Sequence, residues 1–154
     1  KVEVRHGMGA LVTLTARNPG DTLAAFQARQ TLETPNAHTL QVDIGTHIEL
    51  EPDVLRYVNH SCEPSVAFDT TKLALVALRA LQPGEELTYF YPSTEWEMGA
   101  PFTCGCGSAR CLGRIQGAST LPIEVLERFP VAAHIRTLLA RRAAQQPLAT
   151  GKVG

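Results

Sequence analysis

The sequence has no large excess of charge of either sign and no long apolar run. Its 14 Lys and Arg residues nearly balance its 15 Asp and Glu residues, and the formal net charge is −1. The chain therefore lacks the basic field that recruits nucleic acid or an anionic membrane surface. Apolar stretches such as residues 73–81 stop far short of the roughly 20 residues that span a bilayer. We expect no direct contact with nucleic acid or membrane.

Signals for export and for several domains are missing as well. Residues 1–10 contain neither the apolar segment nor the cleavage site of a secretory signal peptide, so we expect none. The sequence shows no internal repeat and no low-complexity linker. Its 154 residues, 44% hydrophobic and 19% charged, are typical of one compact soluble domain that is large enough to bury a core.

Cysteine is scarce and unevenly placed. Three of the four cysteines, Cys104, Cys106 and Cys111, share a short glycine-rich segment, whereas Cys62 lies 42 residues before Cys104. Two disulfides fit poorly, because two cysteines separated by one glycine cannot easily bridge each other or reach separate partners. The spacing favours tetrahedral zinc, with three thiolates turned toward one point and Cys62 closing the shell. Free or disulfide-bonded cysteines remain the alternative; thiolate ligands would indicate a reducing compartment.

The hydrophobic pattern predicts short strands in most of the chain and helices near its end. Strands are expected within four segments: 3–16, 18–26, 38–50 and 65–91. Residues 51–58 suit one or two helical turns, and residues 121–146 show helical spacing that is broken at Pro130. The tail at 147–154 is expected to fray. The sequence thus predicts one domain of short strands with a helical C-terminal segment.

Four segments resemble motifs of one enzyme family. Residues 59–62, Asn-His-Ser-Cys, are similar to a motif of the SET-domain lysine methyltransferases, and residues 83–91 resemble their Gly-Glu-Glu-Leu-Thr-x-x-Tyr motif. Residues 6–10 resemble the N-terminal Gly-x-Gly element of that family, and residues 102–111 resemble its post-SET zinc loop. The four segments follow the family's order and together span about two thirds of the chain.

The resemblance implies a fold and a division of the chain. The fold would be mostly β with α: several small curved β-sheets with a pseudoknot, then a post-SET zinc loop and helices. We expect a SET domain in 1–92, the zinc loop in 93–117 and a helical segment in 118–154 packed on the same domain. In such a pseudoknot the C-terminal part of the domain threads beneath a loop. Chain threading is rare in proteins, so hydrophobic periodicity alone would not predict it.

The resemblance also implies two bound groups, S-adenosylmethionine as co-substrate and one structural Zn²⁺. All four zinc positions would be filled by protein, which is typical of a structural site. The zinc ligands would be Cys62, Cys104, Cys106 and Cys111. Contacts with S-adenosylmethionine would come from His6, Gly7, Met8, Asn59, His60 and Gly105. By tying the loop to the cofactor motif, the zinc would let the loop close over the site.

The implied reaction is transfer of a methyl group from S-adenosylmethionine to the side-chain amine of a lysine in a histone or another protein. Tyr91, the last tyrosine of its motif, would orient that amine. A phenol with a pKa of about 10 is a poor base at neutral pH, so positioning is expected to matter more than proton removal. The hydroxyl of Tyr89 would limit the space for methyl groups, which favours mono- or dimethylation.

Some residues depart from the family pattern or have two interpretations. Phe90 stands where the family commonly has Asp, and Ser65 stands where it often has Asn. Trp96 is expected either to line the channel or to anchor its loop to the core. Phe68 and Tyr57 are expected to belong to the core.

Two other functions remain open. A catalytically silent SET-like binding module that contains zinc would bind the cofactor without turnover. A zinc-knuckle nucleic-acid binder is suggested by Arg110, Arg114 and the pair at 141–142, but the net charge of −1 disfavours it. We expect a cytoplasmic location if the source is bacterial, and a nuclear or cytoplasmic one if it is eukaryotic.

Overall fold

The computed structural model describes residues 1–146, which form five small β-sheets and several short helices. In chain order the strands are β1 (Val2–Arg5), β2 (Met8–Leu11), β3 (Thr22–Ala25), β4 (Gln27–Leu32), β5 (Thr39–Asp43), β6 (Thr46–Glu51), β7 (Asn59–His60), β8 (Val66–Asp69), β9 (Ala74–Ala77), β10 (Thr88–Tyr89), β11 (Phe102–Thr103) and β12 (Arg114–Ile115). Single 3₁₀ turns occur at Asp53–Tyr57, Tyr91–Ser93 and Ala118–Thr120, and the α-helices are α1 (Ile123–Leu126) and α2 (Ala133–Gln145). Neither helix of this range is long and apolar enough to cross a bilayer.

Nearly all of the predicted elements are present. The Gly-x-Gly segment turns the chain between β1 and β2, the hairpin at 38–50 reverses at Gly45 with φ +65°, and Pro130 separates the two helices. Strand β4 was not expected, because most of its residues are exposed and no apolar alternation marks it. The predicted fraying of 147–154 falls outside the described residues.

Two three-stranded antiparallel sheets form the centre of the molecule. Their strand orders are β4-β6-β5 and β3-β9-β8. Apolar residues from both sheets, from the first 3₁₀ turn and from β10 meet in one main core, which includes Leu40, Val66, Leu75 and Phe68. Tyr57 packs against the same core, so the expectation for both aromatic residues is confirmed.

The parallel pairing of β7 with β10 brings the two principal motifs together. Thr88 lies opposite Asn59, and Tyr89 lies opposite His60. The pairing is reinforced by Ser65, which is fully buried; its hydroxyl accepts a hydrogen bond from the Thr88 N–H at 2.9 Å. The hydroxyl of Ser65 thus links the chain after the Asn-His-Ser-Cys motif to strand β10.

A second, smaller core lies between the segment after β10 and the C-terminal helices. It is built from five buried residues: Phe90, Ala118, Leu126, Ile135 and Leu139. The Phe90 ring stacks on Phe129, with ring centroids 3.8 Å apart and planes 12° apart. The buried His134 of α2 places its Nε2 atom 2.7 Å from the carbonyl oxygen of Thr94. The helices are therefore docked directly behind the tyrosine motif.

Candidate active site

A cavity of about 690 Å³ lies where the four motifs meet. Nine of the predicted site residues line it: His6, Met8, Asn59, His60, Tyr89, Tyr91, Cys104, Gly105 and Cys106. Gly7, Cys62 and Cys111 are not among the residues of 1–146 that line it. Gly7 instead forms the adjoining turn with φ +80°. The structure therefore brings the predicted residues to one place, while the role of each remains a prediction.

Asn59 joins the N-terminal turn to the second motif. Its side-chain amide donates to the carbonyl oxygen of Gly9 at 2.9 Å and to a carboxylate oxygen of Glu86 at 3.2 Å. A Cβ atom on Gly9 would lie 2.5 Å from the Tyr57 ring, so only glycine lets β2 approach this closely. The second glycine of the Gly-x-Gly element is thus required by packing.

His60 connects the tyrosine motif with the cysteines. Its Nδ1 atom accepts a hydrogen bond from the Tyr91 N–H at 3.1 Å, and its Nε2 atom lies 3.4 Å from Sγ of Cys62. Burial lowers the pKa of His60 to about 4, so the ring is neutral at pH 7. Because Nδ1 accepts, the ring proton is on Nε2, where it can donate to a thiolate sulfur.

The two tyrosines share one side of the chain, although β10 ends at Tyr89. Their ring centroids are 4.6 Å apart, and Tyr89 also makes an edge contact with Phe68 at 4.8 Å. The Phe90 side chain points away into the second core. Burial raises the pKa of Tyr91 to about 12 and raises that of Tyr89 as well. Both phenols are therefore neutral at pH 7 and suited to hydrogen bonding.

The four cysteines form one cluster. Strands β11 and β12 pair as a short hairpin whose loop carries Cys104, Cys106 and Cys111. This loop lies against Cys62, whose Sγ accepts a hydrogen bond from the Leu112 N–H at 3.4 Å. All four Sγ atoms lie within 4.8 Å of one another, and none of the cysteines is disulfide-bonded.

This donor set fits zinc. Four thiolates bound at about 2.3 Å in a tetrahedron have sulfur atoms about 3.8 Å apart, which is compatible with four Sγ atoms that all lie within 4.8 Å of one another. Burial raises the pKa of Cys62 to about 11 and that of Cys104 to about 12, whereas at Cys106 burial is outweighed by hydrogen bonds, which lower its pKa to about 7. A bound cation would therefore stabilise the thiolate forms of Cys62 and Cys104 in particular. The disulfide alternative is not supported by the geometry.

Trp96 and two further residues complete the surroundings of the site. Trp96 packs against the second core, with the Arg142 guanidinium 5.8 Å from its ring centre, which favours the anchoring interpretation. Phe102 and Glu95 line the cavity but were not predicted. Phe102 contacts the rings of both His60 and Tyr91. No periodic pattern marks either residue: Glu95 lies in the irregular segment after Tyr91, and Phe102 begins β11 of the cysteine hairpin, at the first position of the segment that resembles the zinc loop.

Comparison with known families identifies this arrangement. A family model described as SET domain matches residues 13–92, which is more than half of the chain. The chain belongs to the SET-domain family. That match does not test the proposed division into 1–92, 93–117 and 118–154, which stays a prediction.

Similar proteins are found among methyltransferases of eukaryotes. Methyltransferase flvH of Aspergillus flavus is 46% identical over 104 residues, which cover 66% of this chain and 58% of that protein. Histone-lysine N-methyltransferase ash1 of Drosophila melanogaster is 35% identical over 83 residues, which cover 49% of this chain and 4% of that protein. This SET-domain protein therefore spans less than two thirds of the length of either relative.

A solved structure shows the same fold. The chain aligns with KRYPTONITE, crystallised in complex with mCHH DNA, H3(1-15) peptide and SAH. The TM-score is 0.54 with 23% sequence identity, and the alignment covers 72% of this chain and 28% of that one. The predicted fold class, a mostly β SET-domain fold with helices, is confirmed.

Proposed function

We propose that this SET-domain protein transfers a methyl group from S-adenosylmethionine to the side-chain amine of a lysine in a histone or another protein, and that it favours mono- or dimethylation. The observation that carries the proposal is the adjacent rings of the buried Tyr89 and the half-buried Tyr91 on the same cavity as Asn59 and His60. The ash1 relative is named a histone-lysine N-methyltransferase, and the KRYPTONITE crystal contains an H3 peptide and SAH, which supports this substrate class.

The residues of the chain position the reactants. S-adenosylmethionine supplies an electrophilic methyl group on a positively charged sulfur. The aromatic rings of Tyr89, Tyr91 and Phe102 exclude water from the cavity wall, which lowers the pKa of an entering amine and favours its reactive neutral form. The neutral Tyr91 hydroxyl lies 3.4 Å from the carbonyl oxygen of Val58, so its orientation is restrained before an amine binds.

Cys62, Cys104, Cys106 and Cys111 would hold one structural zinc ion. With all four positions filled by protein thiolates, the ion would hold the hairpin in place and would take no part in the reaction. Gly105 lies between two of these ligands and lines the cavity, so the hairpin would form part of the cofactor pocket. We expect no direct contact with nucleic acid, because the net charge is only −1.

The test is transfer of labelled methyl from S-adenosylmethionine to core histones and to a cell lysate, with wild type and Tyr91→Phe compared. We expect labelled lysine with wild type and a loss of about 100-fold or more in the variant, because an orienting hydrogen bond is removed. The Tyr57→Phe variant is the control, since that hydroxyl accepts a hydrogen bond from Arg56 and does not line the cavity. Cofactor binding without label in either sample would favour the binding module.

A further inference from the structure

Glu95 is a buried acidic residue on the wall of the proposed active site. Its side chain is only 6% exposed, and it lines the cavity together with Tyr89 and Tyr91. None of the ion pairs found among residues 1–146 involves its carboxylate. A buried carboxylate is normally paired with a cation, because removing an isolated charge from water is expensive.

The position of the Glu95 carboxylate is fixed by strand β5. The backbone N–H of Gln41 donates to both carboxylate oxygens, at 2.9 and 3.3 Å, and the side chain of Gln41 accepts the N–H of Trp96 at 2.9 Å. A carboxylate has about four acceptor positions, so these contacts leave capacity for a further donor. The carboxylate is therefore held in place without being saturated.

Within residues 1–146, no titratable group near Glu95 supplies the missing positive charge. Burial raises the pKa of Glu95 to about 7, although hydrogen bonds from Gln41 and Thr94 act in the opposite direction. Burial is the main cause of the raised pKa of both Tyr89 and Tyr91, and the negative charge of the Glu95 carboxylate is the second cause. The histidines behind this segment, His134 and His47, have pKa values lowered by burial, so both are neutral at pH 7.

We propose that Glu95 is the anionic group that binds the substrate as an ammonium ion at the tyrosine side of the cavity and takes its proton before methyl transfer. The proposal rests on the proposed function and adds a charge-recognition residue to it. A proton passes from R–NH₃⁺ to the carboxylate, which leaves R–NH₂ and a neutral carboxylic acid. The amine lone pair then forms the N–C bond, while the C–S bond breaks and its electron pair stays on sulfur.

This role differs from that of a structural anchor. An anchor needs only an acceptor for the Gln41 N–H, and the amide oxygen of Glu95→Gln provides one of nearly the same shape. Recognition of an ammonium ion needs the negative charge, which the variant lacks. Glu97→Gln is a matched control, because it makes the same change two residues later at an exposed side chain.

The experiment measures ligand binding to the zinc-loaded protein saturated with S-adenosylhomocysteine. The probes are n-butylammonium, which mimics the end of a lysine side chain, and n-butanol, its uncharged counterpart. For wild type and for E97Q at pH 8 we expect n-butylammonium to bind about 10- to 100-fold more tightly than n-butanol, as a charge-assisted hydrogen bond predicts. For E95Q we expect this preference to disappear while the thermal stability is retained.

Two further measurements separate the outcomes. Between pH 8 and pH 6 the preference of wild type should fall, because Glu95 becomes protonated, whereas E95Q should show no such change. Equal binding of the two probes to wild type, or an unchanged preference in E95Q, would overturn the inference. So would an E95Q variant that loses affinity for S-adenosylmethionine but not for S-adenosylhomocysteine, since the carboxylate would then pair with the sulfonium. Failure of wild type to bind S-adenosylhomocysteine would instead overturn the proposed function, and the inference with it.

Discussion

The two sides of the cavity are held in place by different means. Tyr89 belongs to the main core, where it contacts Phe68 and Tyr91, and its strand is paired with β7. The cysteine hairpin has two residue pairs of regular structure, between β11 and β12, and its intervening residues are half-buried or exposed. Packing therefore fixes the tyrosine side before any ligand binds, whereas the hairpin depends on the four thiols for its position.

The largest effect should follow from removing one of the four thiols that hold the cysteine hairpin. In Cys104→Ser we expect loss of zinc, loss of most of the affinity for S-adenosylmethionine and a mobile hairpin, since structural zinc contributes about 10–16 kcal/mol to the folding of small zinc domains. The central sheets should stay folded, because their core does not include the hairpin. Metal analysis would measure the zinc content, and titration would measure the affinity for S-adenosylmethionine. Circular dichroism would show whether the central sheets stay folded.

The matched control for that variant is Ser108→Ala. Ser108 lies in the same loop, and its hydroxyl accepts a hydrogen bond from the Arg110 N–H at 3.1 Å without contributing to the cluster. The Ser108→Ala variant should therefore keep one zinc ion per chain. If Cys104→Ser also kept one zinc and normal cofactor affinity, the hairpin would not depend on the thiols, and the difference between the two sides would disappear.

The next largest effect should come from the residue that joins the tyrosine side to the C-terminal helices. Phe90 is 2% exposed and stacks on Phe129, so Phe90→Ala should lower the free energy of unfolding by about 3–5 kcal/mol. Urea denaturation of the zinc-loaded protein would measure the change. Ile123→Ala is the control, because Ile123 is 43% exposed and its truncation should cost about 1 kcal/mol or less.

A double-mutant cycle sharpens that prediction. If the ring stacking stabilises the second core, Phe90→Ala and Phe129→Ala should couple by about 0.5–1.5 kcal/mol. Additive effects would mean that the two rings fill space independently. A loss below about 1 kcal/mol for Phe90→Ala alone would show that the helices do not depend on this contact.

Local patterns predicted most of the strands, and the family resemblance pointed to residues that the structure brings to one cavity, but neither predicted the contacts between distant segments. The hairpin around Gly45 and the cysteine set could be predicted because turn residues and thiol spacing are local signals. The burial of Glu95 depends on Gln41, 54 residues earlier in the chain, and Phe90 finds its partner in Phe129. Strand β4 has mostly exposed side chains, so its pairing with β6 left no periodic signal.

The smallest effect should come from a change within the tyrosine side that leaves its packing intact. Tyr89→Phe keeps the ring contacts with Phe68 and Tyr91 and removes one hydroxyl from the cavity wall. If that hydroxyl occupies space needed by a further methyl group, the variant should yield several-fold more of the higher methylated lysine, a difference of about 1 kcal/mol between competing transfers. Mass spectrometry of the labelled product measures this ratio.

Tyr57→Phe again serves as control for Tyr89→Phe, because its hydroxyl lies outside the cavity lining. An unchanged product ratio in Tyr89→Phe, with activity retained, would mean that the Tyr89 hydroxyl does not set the degree of methylation. The limit would then have to lie elsewhere on the cavity wall, where Phe102 and the cysteine hairpin face the same space. Product ratios of Tyr91→Phe and Phe102→Ala would then show on which side of the cavity the limit lies, because Tyr91 packs against the main core and Phe102 belongs to the cysteine hairpin.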